Sequence, residues 1–327
     1  MRWLVTGGAG YIGIHVVRAM LAAGESVVVY DDLSSGSRER VPEGVPLIEG
    51  SVLDRALLDE TFRAHAVDGV VHIAGKKQVP ESVVRPLYYY EENVEGLRTL
   101  LAATVEAGVT RFLFSSSAAV YGMPDVHLVD EQTPCAPINP YGESKLVGEW
   151  LIKATARAHG LSYAALRYFN VAGAGAPELA DQGVTNLVPM VFERLQAGHP
   201  PLIFGDDYDT GDGTCVRDFI HVVDLAEAHV AAASRLARDP DARLVLNVGR
   251  GDGTSVRAMV ELIQRTTELT DAAPEIRPRR AGDPARVVAS AERIERELGW
   301  KARLGTPEMV ASAWAGWQRR HEGVSPG

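Results

Sequence analysis

Apolar positions in the first half of the chain follow two alternating rhythms. Trp3-Leu4-Val5 is a short apolar run ending at Thr6-Gly7-Gly8, the pattern of a buried strand. Ile12, Val16, Met20 and Leu21 then recur at helical spacing and stop at Gly24. Residues 26–30 are rich in β-branched side chains and close on Asp31-Asp32, predicting a second strand. Weaker strand patterns fall at 46–48, 69–73, 111–115 and 164–168. Helical patterns at 55–65, 93–107 and 144–159 separate most of them. This alternation, continued to about residue 170, predicts an α/β chain: a doubly wound parallel sheet covered by helices on both faces.

Beyond Asn170 the rhythm changes. Residues 171–186 are rich in Gly and Ala and read as loop, and 205–214 is a polar loop. Helices are expected at 187–196, 223–237, 256–267 and 306–319, and strands at 216–221 and 244–248. Val310, Trp314 and Trp317 share one helical face and read as a core stripe. Residues 321–327 read as a frayed tail. The expected division is a first domain over 1–170, with a return segment near 216–248, and a smaller α/β domain over 171–327.

The chain's 327 residues suit about two domains, and 46% hydrophobic residues are ample for a large core. Lys and Arg number 33 against 43 Asp and Glu, a net charge of −10 that disfavours nucleic acid and anionic membranes as partners. A small anionic ligand would need only local cations. No signal peptide is read at the start, and no apolar run approaches the roughly 18 residues of a bilayer span. Cys135 and Cys215 make no disulfide framework, so a reduced, cytoplasmic setting is expected.

Candidate chemistry begins with Gly7, Gly10 and Gly13, a GxxGxxG between a predicted strand and a predicted helix. Glycines there permit a tight turn and let backbone N–H groups approach a pyrophosphate at a helix N-terminus. Asp31 ends the next strand, where a carboxylate accepts from an adenosine ribose and repels a 2′-phosphate, which selects NAD over NADP. Tyr141 and Lys145 stand at i and i+4, on one helical face. A tyrosine with two nearby cations, Lys⁺ and an oxidised nicotinamide, is a base at neutral pH. Lowering its pKa by about three units takes about 4 kcal/mol. Alone, this pair equally fits the start of a surface helix, which Pro140 also suits. Ser115-Ser116-Ser117 follows a predicted strand, where ligands of such sheets bind, although a turn or cap serine reads the same way.

Together these elements resemble the extended short-chain dehydrogenase/reductase family and, within it, the UDP-galactose 4-epimerases. The matching segments are TGGAGYIG (6–13), HIAGKKQVPES (72–82), SSSAAVYG (115–122), PYGESK (140–145), RYFNVAGA (167–174), DGTCVRDFIHVVDLA (212–226) and PRRAGDP (278–284). The resemblance implies a Rossmann domain holding NAD and a smaller domain holding a UDP-hexose. It implies that Tyr141 takes the 4-hydroxyl proton as the C4 hydride leaves, that the 4-keto sugar turns over, and that hydride returns to its other face. Ser117 would hold the 4-oxygen, and Lys145 would orient the ribose and depress the Tyr141 pKa. The implied cofactor set comprises Gly7, Gly10, Tyr11, Ile12, Gly13, Asp31, Asp32, Leu33, Ser34, Ser35, Gly36, Ser51, Val52, Ile73, Ala74, Gly75, Lys77, Asn93, Ser115, Tyr141, Lys145, Tyr168 and Phe169. The implied substrate set comprises Lys77, Ser117, Tyr141, Asn170, Asn186, Leu187, Arg217, Arg280, Asp283 and Val287. A homodimer built on helices 93–107 and 144–159 is also implied.

This chain departs from the family in places. Ser51 stands where an Asp commonly meets the adenine amine. Lys76 replaces an apolar residue and is expected to point to solvent. Val287 occupies the position that gates the sugar's 2-substituent; being intermediate in size, it leaves the N-acetylhexosamine pair open beside glucose and galactose. A 4,6-dehydratase, a UDP-glucuronate decarboxylase or epimerase, and a silent NAD-binding regulator are the alternatives. Ser116-Ser117-Ala118 lacks the acidic pair of a dehydratase, and a silent regulator has no need of both Tyr141 and Lys145. No metal is expected, because the acidic loop around Asp207 fails the EF-hand spacing.

Overall fold

The computed structural model describes residues 1–270, 272–280 and 282–321. Its first apolar run is β1 (Arg2–Thr6), and the β-branched run is β2 (Ser26–Asp31). The two pair in parallel, with Leu4 opposite Val28 and Val5 opposite Val29. Further strands are β3 (Leu47–Glu49), β4 (Gly69–His72), β5 (Arg111–Ser117) and β6 (Ser162–Tyr168). Past these come β7 (Asn170–Ala172), β8 (Leu202–Phe204), β9 (Val216–His221) and β10 (Arg243–Val248). The last strands are β11 (Gly253–Ser255), β12 (Glu275–Arg277) and β13 (Arg286–Val287).

The main sheet is parallel throughout, in the order β10-β6-β5-β4-β1-β2-β3. The chain therefore runs outward in opposite directions from the β1–β4 pair, and a crevice opens beyond the carboxyl ends of those two strands. Strand β10 joins this sheet at the β6 edge, whereas β9 belongs to a second sheet with β7, β11 and β13, and β12 pairs with β8.

Alternation along the strands feeds two cores. Leu4, Val28, Val70 and Phe112 point to one face, under α2 (Arg55–His65), α5 (Gly96–Glu106) and α6 (Pro140–His159). Val5, Val29 and Leu166 point to the other, under α1 (Tyr11–Ala22) and α8 (Val222–Arg238). Each fully buried Leu, Val or Phe contributes roughly 1.5–3 kcal/mol, so both faces hold the strand ends rigidly. A third core joins α7 (Leu187–Gln196), α9 (Val256–Thr267) and α11 (Thr306–His321) under β9, with the expected Val310–Trp317 stripe against Phe192.

Helix α6 begins at Pro140, earlier than its apolar pattern. Asn139 caps it by accepting from the Gly142 N–H at 2.9 Å, and Pro140 takes the first position, where no N–H is needed. The expected loop 171–186 contains β7 and a 3-10 turn at Pro177–Leu179. The periodicity does not show β8, β11, β12, β13, α3 (Val79–Val84), α4 (Pro86–Tyr89) or α10 (Glu292–Leu298). Strands of two or three residues are too short to display an alternation. The tail, from residue 322 on, lies outside the described residues.

Candidate functional site

The loop after β1 turns at Gly7, whose φ of +73° is left-handed; a Cβ there would lie 2.6 Å from the Ala74 nitrogen. A Cβ on Gly13 would collide with the Gly7 carbonyl, so the glycines let α1 start directly on the loop. Gly10 caps α1 without a side-chain bond, and the first turn carries no acidic residue. The first N–H groups of that helix thus have no intrahelical partner and face an open cleft with positive partial charge. Asp31 braces the loop: its carboxylate accepts from the Ala9 N–H at 2.9 Å and the Leu33 N–H at 2.8 Å. Burial pushes its pKa up, and those N–H groups pull it back. A carboxylate has about four acceptor positions, so capacity remains for a ligand hydroxyl.

Tyr141 and Lys145 project from the first turns of α6 over the end of β5, and both are buried. The Lys145 Nζ donates to the Ser115 carbonyl at 3.0 Å and lies 6.0 Å from the Tyr141 ring centre. Burial lowers Lys145 to about 8. Burial raises the Tyr141 phenol, while the neighbouring Ser117 hydroxyl pulls the other way. Ser117 also accepts from the Ala119 N–H at 3.2 Å, which fixes it at the strand end.

Three clefts meet here. The first contains Gly7, Gly10, Tyr11, Ile12, Gly13, Asp31, Asp32, Ser34, Ser35, Ser51, Val52, Ile73, Ala74, Gly75, Lys77, Tyr141, Lys145 and Tyr168 of the expected cofactor set. The central cleft shares Tyr11, Ile12, Lys77, Tyr141 and Tyr168 with it, and adds Ser117, Phe169, Asn170, Asn186, Arg217, Asp283 and Val287. The third shares Asn170, Asn186, Arg217 and Asp283 with the central one, and adds Leu187 and Arg280. In it Arg217 pairs with Asp283 at 3.2 Å, and the Arg280 guanidinium stacks on Phe204 at 3.8 Å.

Four expected cofactor residues stand outside these walls. Asn93 lies on a π-helical turn (Tyr90–Glu95) before α5; it accepts from the Lys76 N–H at 2.8 Å and donates to the Lys76 carbonyl and the Ser144 hydroxyl, both at 3.0 Å. It clamps the Gly75–Lys77 loop to α6. Leu33 adopts φ +57° and donates to Asp31. Gly36 approaches Ala9 and Asp31 so closely that a Cβ would sit 2.9 Å from each. Ser115 contributes its carbonyl to Lys145 and its hydroxyl to His229 at 3.0 Å. Ser51, the departure from the family, receives the Leu53 N–H at 3.2 Å on its hydroxyl.

Lys76 corrects another expectation. It does not point to solvent; it lines the first cleft, with Nζ 3.8 Å from both Asp32 and Glu92 and 3.2 Å from the Ser34 hydroxyl. Two carboxylates of the same cleft draw it inward. Tyr30 and Glu92 of the first cleft, and Arg194, Phe204 and Val256 of the third, are not among the site residues expected from the sequence. None stands in a motif, and only their strand and helix placement brings them to the site.

The family model for the NAD dependent epimerase/dehydratase family matches residues 3–249. The UDP-glucose 4-epimerase of Azospirillum brasilense is 46% identical over 325 residues, covering 98% of this chain and 93% of that one. A crystal structure of UDP-glucose-4-epimerase from Stenotrophomonas maltophila, with bound NAD and formylated UDP-arabinopyranose, superposes with a TM-score of 0.94 at 39% identity, covering 99% and 100% of the two chains. That of UDP-glucose 4-epimerase from Bifidobacterium longum, in complex with NAD+ and UDP, gives a TM-score of 0.90 at 37% identity, covering 98% and 99%. With its glycine loop, its Tyr–Lys helix and near full-length likeness to these enzymes, the chain belongs to the NAD dependent epimerase/dehydratase family, among the UDP-glucose 4-epimerases.

Proposed function

We propose that the protein inverts C4 of a UDP-linked hexose, interconverting UDP-glucose and UDP-galactose with NAD as cofactor. One observation carries this reading: Tyr141 lies on the wall common to the glycine-loop cleft and the central cleft, so one hydroxyl faces both a dinucleotide and a sugar. NAD⁺, when bound, accepts the C4 hydride and returns it, and its positive ring favours the tyrosinate. The uncapped start of α1 would hold the pyrophosphate, and Asp31 the adenosine ribose. Lys145, fixed by the Ser115 carbonyl, would hold the second ribose.

On the substrate side, Arg217 and Arg280 supply the local cations that a diphosphate requires in a chain of net charge −10. Asn170, Asn186 and Leu187 would receive the uridine and its phosphates. Tyr141 would exchange the 4-hydroxyl proton, with Ser117 and Lys77 against the same oxygen and Phe169 and Tyr168 closing the apolar side. Val287, buried on the wall of the central cleft, is smaller than the aromatic residue that would exclude a larger 2-substituent, which supports the N-acetylhexosamine pair as a second substrate.

The test is Tyr141→Phe. General acid–base catalysis contributes about 10²–10⁴-fold, so turnover of UDP-galactose should fall by that factor while NAD and UDP still bind. Wild-type turnover retained in this variant would overturn the reading. Turnover of UDP-N-acetylglucosamine below one-thousandth of that with UDP-galactose would remove the second substrate.

A homodimer and a cytoplasmic location belong to the same proposal. Val83, Val84 and Leu87 stand 60%, 75% and 83% exposed beside α5 and α6, an apolar patch that a second copy would cover. Light scattering at a monomer mass would exclude it. Both cysteines are free, as in a reducing compartment, and no helix among the described residues is long and apolar enough to cross a membrane.

A further inference from the structure

We infer that the chain carries a second ligand site, for a multiply charged phosphorylated metabolite, in the cavity between α6, β6, β10 and α10. The cavity measures about 540 Å³, within the usual size of small-molecule sites, and shares no wall residue with the three clefts.

Its charge is the argument. Lys153 and Arg157 enter from α6, Arg243 from the start of β10 and Arg293 from α10. Among the described residues none of the four makes an ion pair or a side-chain hydrogen bond. The Arg293 Nε is buried without a partner. Two carboxylates also face the cavity, and both are engaged. Glu149 is held by Arg167 at 2.6 Å, and Glu131 accepts the Asn247 N–H at 2.8 Å. Thirteen of the chain's 28 arginines pair with an Asp or Glu among the described residues, Arg167 of this cavity included; the four unpaired cations that converge here repel one another.

Tyr163 supplies an independent pointer. It rises from β6 with 5% of its surface exposed, lines the cavity, and its hydroxyl has no hydrogen-bond partner among the described residues. Burial and the Glu149 carboxylate raise its pKa, and Arg243, Arg157 and Arg293 pull it down; the three arginines line the same cavity as the phenol. Guanidinium forks match phosphate oxygens in pairs, and a phenol adds a neutral donor. Trp150 stands at the rim, 60% exposed, and offers a flat face to a nucleobase.

The experiment is calorimetric titration of the NAD-loaded protein in saturating UDP, so that cofactor and substrate subsites are filled. The probes are inorganic pyrophosphate and ADP. Each should show one binding event per chain that weakens as salt rises. ADP binding more tightly than pyrophosphate assigns a nucleotide; equal affinity assigns the phosphates alone. The double substitution Arg243→Ala, Arg293→Ala should weaken the event about tenfold or more. Lys153→Ala with Arg157→Ala, on the exposed face of α6, gives the same reading without touching the sheet. UDP affinity and epimerisation should stay unchanged in both, because these side chains line none of the three clefts. Absence of the event with both probes overturns the proposal, as does undiminished binding in both double variants.

Discussion

Glu149 lies eight residues beyond Tyr141 on α6, and its replacement by glutamine probes what holds the site's helix to its sheet. The carboxylate accepts from Arg167 at 2.8 Å and 2.6 Å, a two-pronged pair, and from the Ser116 hydroxyl at 2.6 Å. Both partners are only 7% exposed. Arg167 also donates to the Tyr121 hydroxyl at 2.9 Å, and that hydroxyl donates to Asn247 at 2.7 Å. Burial pushes the Arg167 pKa down, and Glu149 more than offsets it. Removing one charge of such a pair strands the other, at a cost of about 3–5 kcal/mol. For a chain of this size Tm should fall by about 6–12 °C in calorimetry. Because Ser116 adjoins Ser117, turnover should also drop, by about ten- to a hundredfold, as Tyr141 and Ser117 lose their mutual position. NAD should remain bound. Glu149→Met with Arg167→Met removes both charges and should recover most of the lost Tm. A single variant melting within about 2 °C of the parent would refute the reasoning.

Arg280→Ala removes a cation that lies over Phe204 and has no ion pair among the described residues, so no carboxylate there is stranded. KM for UDP-galactose should rise about ten- to a hundredfold with Tm unchanged, the value of one charge-assisted contact. Lys76→Leu deletes the cation between Asp32 and Glu92 and restores the apolar residue of the family. The pairs are long and partly exposed, so NAD affinity should change by no more than about fivefold, most at low salt; a hundredfold loss would mean direct contact with the dinucleotide. Burial holds His15 and His229 near about 4 and His72 near about 3, against 6.5 when unfolded. The unfolded chain therefore binds protons first as pH falls below 6.5. Each histidine contributes about 3 kcal/mol that is present above pH 6.5 and lost toward pH 4. Asp218, raised to about 6 by burial, opposes this with a smaller shift. Urea midpoints should fall steeply from pH 6.5 to 4.5, and a flat profile would contradict the burial of these rings.

Elements that repeat a period could be read from the chain. α2, α7, β9 and α9 fall at the expected bounds, because each has enough residues to show alternation or a helical stripe. The glycine loop, Asp31, Tyr141 and Lys145 could be read because each has a fixed spacing dictated by chemistry. The third cleft was partly readable through Arg217 and Arg280, but its wall includes Phe204 of β8 and Val256 of α9, whose closeness comes from the fold. A short strand such as β8 exists because β12 pairs with it some seventy residues later, and no local pattern records that pairing.

Lys76 and Lys145 show where such reading stops. The family pattern sends Lys76 to solvent, and helical spacing sets Lys145 beside Tyr141. The three-dimensional neighbours place Lys76 differently and give Lys145 a contact that the spacing does not show. Lys76 is drawn into the first cleft by Asp32, forty-four residues before it, and by Glu92, sixteen residues after it. Lys145 spends its shortest contact on the Ser115 carbonyl, and its burial works against its own charge. Its Nζ lies 6.0 Å from the Tyr141 ring centre. The helix, strand end and loop fix the geometry of the site, and a bound oxidised nicotinamide would add a positive charge beside the phenol. That division explains why the glycine loop, Asn93 and the Glu149–Arg167 pair, none of which touches the reacting hydroxyl, are placed to keep the Tyr141 oxygen within reach of both clefts.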